Sequence, residues 1–343
     1  MMKQLNEISW NVTEEEYRND KALSYSTLSR YTKLGFSNLD KLFDKIETPS
    51  LTFGSAVDSI ITGGLNEFNN RFMVADFPSI PDTIISIVKT VFSKYNDTYI
   101  SLNDIPDSNI IEVAAEFNYQ NNWKPETRAK VIKEKGATYY NLLYISKDKT
   151  ILDTETYVDV CKTVDALHDS PGSSFYFSKD SPFDSIKRYY QLKFKANLNG
   201  IDYRCMADLI LVDYNKKTIT PIDLKTSSKP EWEFYKSFIE YNYQIQARLY
   251  WRIIRDNLSR DPYFKDFTLL DYRFIVVNRK TLTPLSWKCD FTTKIGDIEF
   301  EHAILRDPED IGKELTEYLT SNNKVPIGIN INETNSLSKW LNK

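Results

Sequence analysis

Between Lys187 and Thr226 the chain carries three runs of β-forming residues, Lys187–Ala196, Ile201–Asp213 and Thr218–Thr226. They are separated by Asn197-Leu198-Asn199-Gly200 and by Asn215-Lys216-Lys217. Alternating runs closed by such turns specify an antiparallel meander, and this limits the fold more than any other stretch of the sequence. With Asn215-Lys216 as a two-residue loop, residues facing each other across the second hairpin have numbers summing to 431. Asp208 then lies opposite Asp223. Lys225 shares their face, while Leu209, Leu211, Ile222 and Leu224 turn to the other side and supply core. Carboxylates roughly 5 Å apart across a sheet repel, and a bound cation reverses that cost, since Mg²⁺ takes one or two carboxylates together with waters and phosphate oxygens.

Helical patterns surround the meander. Thr13-Glu14-Glu15-Glu16 reads as a capping box, and Ser24 and Ser26 start a second helix before Leu28 and Tyr31. A helix with small packing residues follows Pro49 through Phe53–Ile61. Others are expected near Ile84–Tyr95, Asn109–Tyr119, Pro125–Lys135 and Asp153–Leu167, with loops at Phe77–Asp82 and Asp104–Ser108. After the meander one helix is expected from Pro230 to about Asn257, then a buried strand at Tyr272–Asn278, an edge strand at Pro284–Asp290 and a helix over Ile295–Thr320. The order predicts an α+β (α/β) fold, a central mixed sheet flanked by helices, in a single domain over 1–343. Residues 1–180 form its mainly helical N-terminal portion, 181–290 its sheet and following helix, and 291–343 a C-terminal helical segment.

Composition narrows the chemistry. Cys161, Cys205 and Cys289 are too few and too scattered for a disulfide framework or a Cys-x-x-Cys zinc site, and His168 and His302 are the only histidines. A catalyst here must rely on carboxylates, lysine and a hard cation. No G-x-x-x-x-G-K-[ST] loop is present to cradle nucleotide phosphates. The N-terminal residues lack a signal-peptide pattern and no apolar run reaches membrane-span length, so a cytoplasmic, non-membrane setting is expected. Net charge is −4, yet Ser181–Arg260 holds fourteen Lys/Arg against nine Asp/Glu, a local +5 on a remainder of −9. That asymmetry suits a basic working face on an acidic body.

A solvated hairpin could carry the same acidic and basic residues, but the flanking pattern adds information. Met206-Ala207-Asp208 ends one strand, Ile222-Asp223-Leu224-Lys225 lies on the next, and Gln244-Ile245-Gln246-Ala247-Arg248-Leu249-Tyr250 sits on a helix. In order, spacing and element type this resembles the PD-(D/E)XK nuclease superfamily, and more narrowly its RecB-like and phage RecE-like exonucleases. The likeness runs from about Leu23 to Asp290. It takes in Leu23-Ser24-Tyr25-Ser26-Thr27-Leu28, similar to the family's opening serine segment, and Phe274–Asn278, similar to its late core strand.

The resemblance implies a restriction-endonuclease-like core in which Asp208, Asp223 and the backbone carbonyl of Leu224 hold Mg²⁺ or Mn²⁺, and Lys225, Gln246 and Tyr250 act on DNA. Two positions depart from the family. Asp58 stands where relatives carry histidine in G-x-x-x-H and is a tentative metal ligand; Gln191 stands where relatives often have glutamate, and a neutral amide is a poorer ligand. The implied activity is metal-dependent hydrolysis of DNA phosphodiesters, most specifically by a phage-type exonuclease of recombination, repair or replication, acting in the host cytoplasm if phage-encoded. A single-strand annealing protein is an implied partner, and oligomeric state is open. The alternative is a nuclease-fold DNA-binding or assembly protein with weak activity. Tyr189, Tyr190, Tyr235, Tyr241 and Tyr243 could stack unpaired bases or serve as core and hydrogen-bonded surface.

Overall fold

The computed structural model describes residues 3–35, 42–43, 48–98, 100–180, 184–301 and 303–320. The chain divides into two compact units, one comprising Met1–Thr48 and Asp165–Lys343, the other Pro49–Val164. The first unit begins with α1 (Glu14–Asn19) and α2 (Tyr25–Leu34). Thr13 and Glu16 make the expected reciprocal capping box at the start of α1, and Ser24 caps α2 by accepting from the Thr27 amide.

The second unit holds α3 (Pro49–Arg71), β1 (Phe72–Val74), α4 (Asp82–Tyr95), α5 (Asp107–Glu116), α6 (Pro125–Ser146), β2 (Thr150–Leu152) and most of α7 (Thr154–Asp169). Its core is a helical cluster in which Ile84, Ile87, Val88 and Val91 of α4 meet Ile110 and Val113 of α5 and Ala129, Ile132 and Tyr140 of α6. A Cβ on Gly136 would come within 2.5 Å of Val88, so a side chain there would push α6 off α4. β1 and β2 form a short parallel pair.

The first unit resumes with α8 (Ser174–Phe177), β3 (Ile186–Leu198), β4 (Ile201–Asp213), β5 (Thr218–Ser227), α9 (Phe234–Glu240), α10 (Tyr243–Arg260), β6 (Thr268–Leu269), β7 (Tyr272–Asn278), β8 (Leu285–Cys289), β9 (Ile298–Phe300), β10 (Ala303–Leu305) and α11 (Pro308–Thr320). Its six-stranded sheet runs β3-β4-β5-β7-β8, with β6 beside β5. The β3-β4-β5 meander and the β7–β8 pair are antiparallel; β5 and β7 are parallel, joined through α9 and α10. The fold is thus a mixed α/β architecture with a helical N-terminal part and a central mixed sheet packed against helices. Pro221 is tolerated inside β5 because it falls between the stretches paired with β6 and with β7.

Three expectations are corrected. The helix expected from Pro230 to Asn257 is broken: a 3₁₀ turn at Glu231–Glu233 precedes α9, and Asn242, at φ 54°, separates α9 from α10. The break is held from α2, where the Tyr25 hydroxyl and Ser29 Oγ donate to the Tyr241 carbonyl at 2.8 and 3.1 Å, and Thr32 Oγ1 accepts from Asn242 Nδ2 at 3.1 Å. The helix expected at Ile295–Thr320 starts only at Pro308, because the β9–β10 hairpin precedes it. The turn between β4 and β5 spans four residues, Tyr214–Lys217, with Asp213 Oδ1 accepting from the Asn215 and Lys216 amides. His302 and the final stretch 321–343 of the expected C-terminal segment lie outside the described residues. No helix among the described residues is long and apolar enough to cross a membrane.

Candidate active site

The register of the β4–β5 hairpin follows the expected sum of 431 from Asp213↔Thr218 to Leu209↔Ile222, and there the ladder stops. One step further, where Asp208 and Asp223 would face each other, β5 leaves β4 to run beside β7. Leu23 takes the vacated edge of β4 at Tyr203, exchanging backbone hydrogen bonds with Asp202 and Arg204. Asp208 therefore sits in the fork between two strands. Its Oδ2 accepts from the Leu224 amide at 3.1 Å, a side chain substituting for the next rung of the ladder. By strand alternation the Leu224 carbonyl points into the same fork.

The other edge of β4 is also interrupted at this residue. β3 and β4 pair on both sides, Tyr190↔Leu209 and Leu192↔Ala207, but the intervening pair, Gln191 with Asp208, is skipped, and Gln191 has φ 52°. The core shows what this does to the sheet. It takes Tyr203, Cys205 and Ala207 from the first half of β4 but Ile210 and Val212 from the second. Because successive side chains on a strand alternate in direction, that change from odd to even numbers means the pleat inverts at Asp208. Leu209, Leu211 and Ile222 are buried on the remaining face, and Leu224 is half-buried.

Asp223 and Lys225 lie on the face of β5 that meets α10. Asp223 is 1% exposed, with Oδ1 accepting from Gln246 Nε2 and Oδ2 lying 2.7 Å from Lys225 Nζ. That ion-pair contact lacks hydrogen-bond alignment, and Gln246 Oε1 is buried with no donor among the described residues. Burial works against the Lys225 ammonium, but Asp223, with Tyr243 and Asp208 contributing, raises its pKa above the ordinary lysine value. Nζ also sits 4.6 Å from the centre of the Tyr243 ring. Tyr250 is one turn beyond Gln246 on α10. Burial, then neighbouring Tyr17, Cys205 and Asp223, pushes its hydroxyl pKa well up.

Structure thus brings Asp208, Asp223, Leu224, Lys225, Gln246 and Tyr250 together. Asp58 belongs to α3, in the other compact unit. Two neighbours were not singled out in the sequence. Tyr272, at the start of β7, is fully buried; burial and the Asp223 charge raise its pKa, and its hydroxyl has no hydrogen-bond partner among the described residues. Tyr25, on α2, lies close enough to Lys225 and Asp223 to feel both charges. Tyr272 was legible in principle, because β7 lies in register with β5 and Phe274, its neighbour two residues on, pairs with Asp223.

A positive anchor holds α10 from its other side. Gln244, Arg248 and Arg252 follow at four-residue spacing; Arg248, fully buried, and Arg252 both pair with Asp307, at 2.8 and 2.7 Å. Beyond β5, the fully buried Glu231 accepts from the backbone amides of Asn278 and Thr283 and from the Thr281 hydroxyl, tying the exit of β5 to the end of β7.

The donors available to a cation in the fork are the Asp208 and Asp223 carboxylates and the Leu224 carbonyl. Among the described residues no group of three or more His, Cys, Asp and Glu gathers to hold an ion. Oxygen donors in this number suit a hard cation that keeps several waters.

No known family profile and no curated protein matches the chain. Among solved structures it is similar to a protein from Eubacterium rectale described as a "putative exonuclease", at 12% identity and a TM-score of 0.39, over 92% of this chain and 83% of that one.

Proposed function

We propose that this chain is a metal-dependent deoxyribonuclease of the PD-(D/E)XK type, working as an exonuclease. The reading is supported above all by the fork at Asp208. There a second, deeply buried carboxylate is held between a lysine and a glutamine, and the sheet gives up pairing on both edges of β4 to make the space. Two like charges beside an interrupted ladder cost stability, and a purely structural hairpin has no use for them.

In this proposal Asp208, Asp223 and the Leu224 carbonyl hold Mg²⁺ or Mn²⁺. When bound, the cation would stabilise charge on the scissile phosphate and lower the pKa of the attacking water. Lys225, whose Nζ lies 2.7 Å from Asp223, would orient the water or a phosphate oxygen as a donor. Gln246 fixes the Asp223 carboxylate. Tyr250 and Tyr272, both protonated, offer hydroxyls on the same side.

The purified protein, incubated with linear and with closed circular DNA, is expected to degrade linear DNA in Mg²⁺ or Mn²⁺ and not in EDTA. Asp223→Ala and Lys225→Ala should reduce that rate by at least about a hundred-fold, the scale of losing one transition-state donor, with unchanged far-UV circular dichroism. Loss of circular DNA as well would make it an endonuclease. Absence of metal-dependent cleavage of either substrate would leave the DNA-binding or assembly alternative, which the neutral Gln191 beside Asp208 favours. In the same assay, a raised Mg²⁺ requirement for Asp58→Asn assigns Asp58 to the site, and an unchanged one removes it.

A further inference from the structure

Beside the site lies an aromatic pair, Tyr243 packed against Phe234 and Phe274, and Tyr241 at the surface. Tyr243 carries Lys225 Nζ over its ring, and Tyr241 follows with ring centres 5.6 Å apart and planes 34° to each other. Tyr241 is 42% exposed, and Lys33 Nζ, from α2, stands 4.7 Å from its ring centre. Packing under α9 is carried by Phe234 and Phe238 against Phe274. The backbone beneath Tyr241 is the clamped break between α9 and α10, so the ring projects from a fixed point. Glu233, in the turn before α9, pairs with Lys236 at 2.9 Å, and Glu240 of α9 pairs with Lys229 at 2.5 Å and also feels the charge of Lys33, which stands exposed at the outer end of the path.

We infer that an unpaired nucleic-acid strand enters the Asp223–Lys225 site along this path, with a base stacked on Tyr241 and the adjoining phosphates met by Lys33 at the outer end and Lys225 at the inner. The inference rests on the nuclease reading and specifies its substrate as a single-stranded end. Aromatic faces accept any unpaired base, whereas a base inside a duplex has both faces covered, and flanking cations match the backbone charge.

The test is fluorescence anisotropy with full-length protein in EDTA, using a 5′-labelled twenty-residue oligothymidylate and a blunt duplex of equal length. Tyr241→Ala should weaken oligothymidylate binding by roughly five- to hundred-fold, the span of one stacked base. Tyr241→Phe should bind within about two-fold of wild type, and Tyr241→Leu, which keeps apolar bulk without a π face, should behave as Tyr241→Ala. Lys33→Ala should weaken single-strand binding and flatten its salt dependence, with duplex binding unchanged in all variants. Unchanged oligothymidylate affinity in Tyr241→Ala and Tyr241→Leu, or equal loss for duplex and single strand, would overturn the path. Because EDTA removes catalysis from this assay, that failure is separate from failure of metal-dependent cleavage.

Discussion

At the scale of single residues, the decisive pair is Asp208 and Gln191. They occupy the one register position that the β3–β4 ladder skips, and the glutamine adopts a left-handed backbone conformation that non-glycine residues take up at some cost. Replacing the amide by a carboxylate adds a like charge at the register position of Asp208. Gln191→Glu should therefore lower the melting temperature in EDTA by a few degrees and show a larger Mg²⁺-induced rise than the wild type, because a cation binding only the folded state stabilises it by mass action. Equal Mg²⁺ responses in thermal melts of the two proteins would remove position 191 from the metal's surroundings. Lys225 shows the converse arrangement: burial disfavours the ammonium, and the adjacent carboxylate more than compensates.

At the scale of elements, the site depends on how α10 is set against the sheet, and Asp307 is the anchor. Burial disfavours its charged form, but the hydrogen bonds from Arg252 and the Glu309 amide, with both guanidinium charges, bring its pKa below 3.8. A depressed carboxylate pKa contributes stability that is present above the unfolded value and lost as pH falls through the folded one. Acid unfolding should accordingly steepen below about pH 4, the ordinary aspartate value. Asp307→Ala, which takes the carboxylate from the buried Arg248 and leaves Arg252 with Glu309, should cost about 3–5 kcal/mol in urea denaturation. A cost under 1 kcal/mol would make the cluster incidental. β4 and β7 were legible to the residue because alternation and turn chemistry are local signals. The break at Tyr241–Asn242 was not, since hydroxyls some two hundred positions earlier in the chain impose it. The β9–β10 hairpin was missed for a similar reason: three-residue strands carry too little periodicity to stand out from a neighbouring helix. The pleat inversion left a trace in Tyr203, Cys205 and Ala207 followed by Ile210 and Val212, but Leu209 and Leu211, also apolar, obscured it.

At the scale of the whole molecule, the site draws on both ends of the first unit's sequence, with Tyr25 before the second unit and the β4–α10 group after it. Its charge is equally uneven. The segment Ser181–Arg260 carries an excess of basic residues in a net acidic protein, and with Arg248 and Arg252 buried against Asp307 the rest of that excess is what would meet nucleic acid in the proposed function. If about four phosphates of a single strand are neutralised, raising salt from about 50 to 200 mM should reduce affinity roughly fifty-fold. Anisotropy titrations across that range check it, and a flat response would mean the segment's charges do not meet the backbone. The interrupted step in β4 has a further consequence. Register is identical on both sides of the gap, so the gap behaves like a pinned defect in a lattice, its address counted from the turns at 199–200 and 214–217. A one-residue insertion in either turn would slide a whole strand past the defect, and a carboxylate would then be lodged in the hydrocarbon interior while a leucine took its place in the opening.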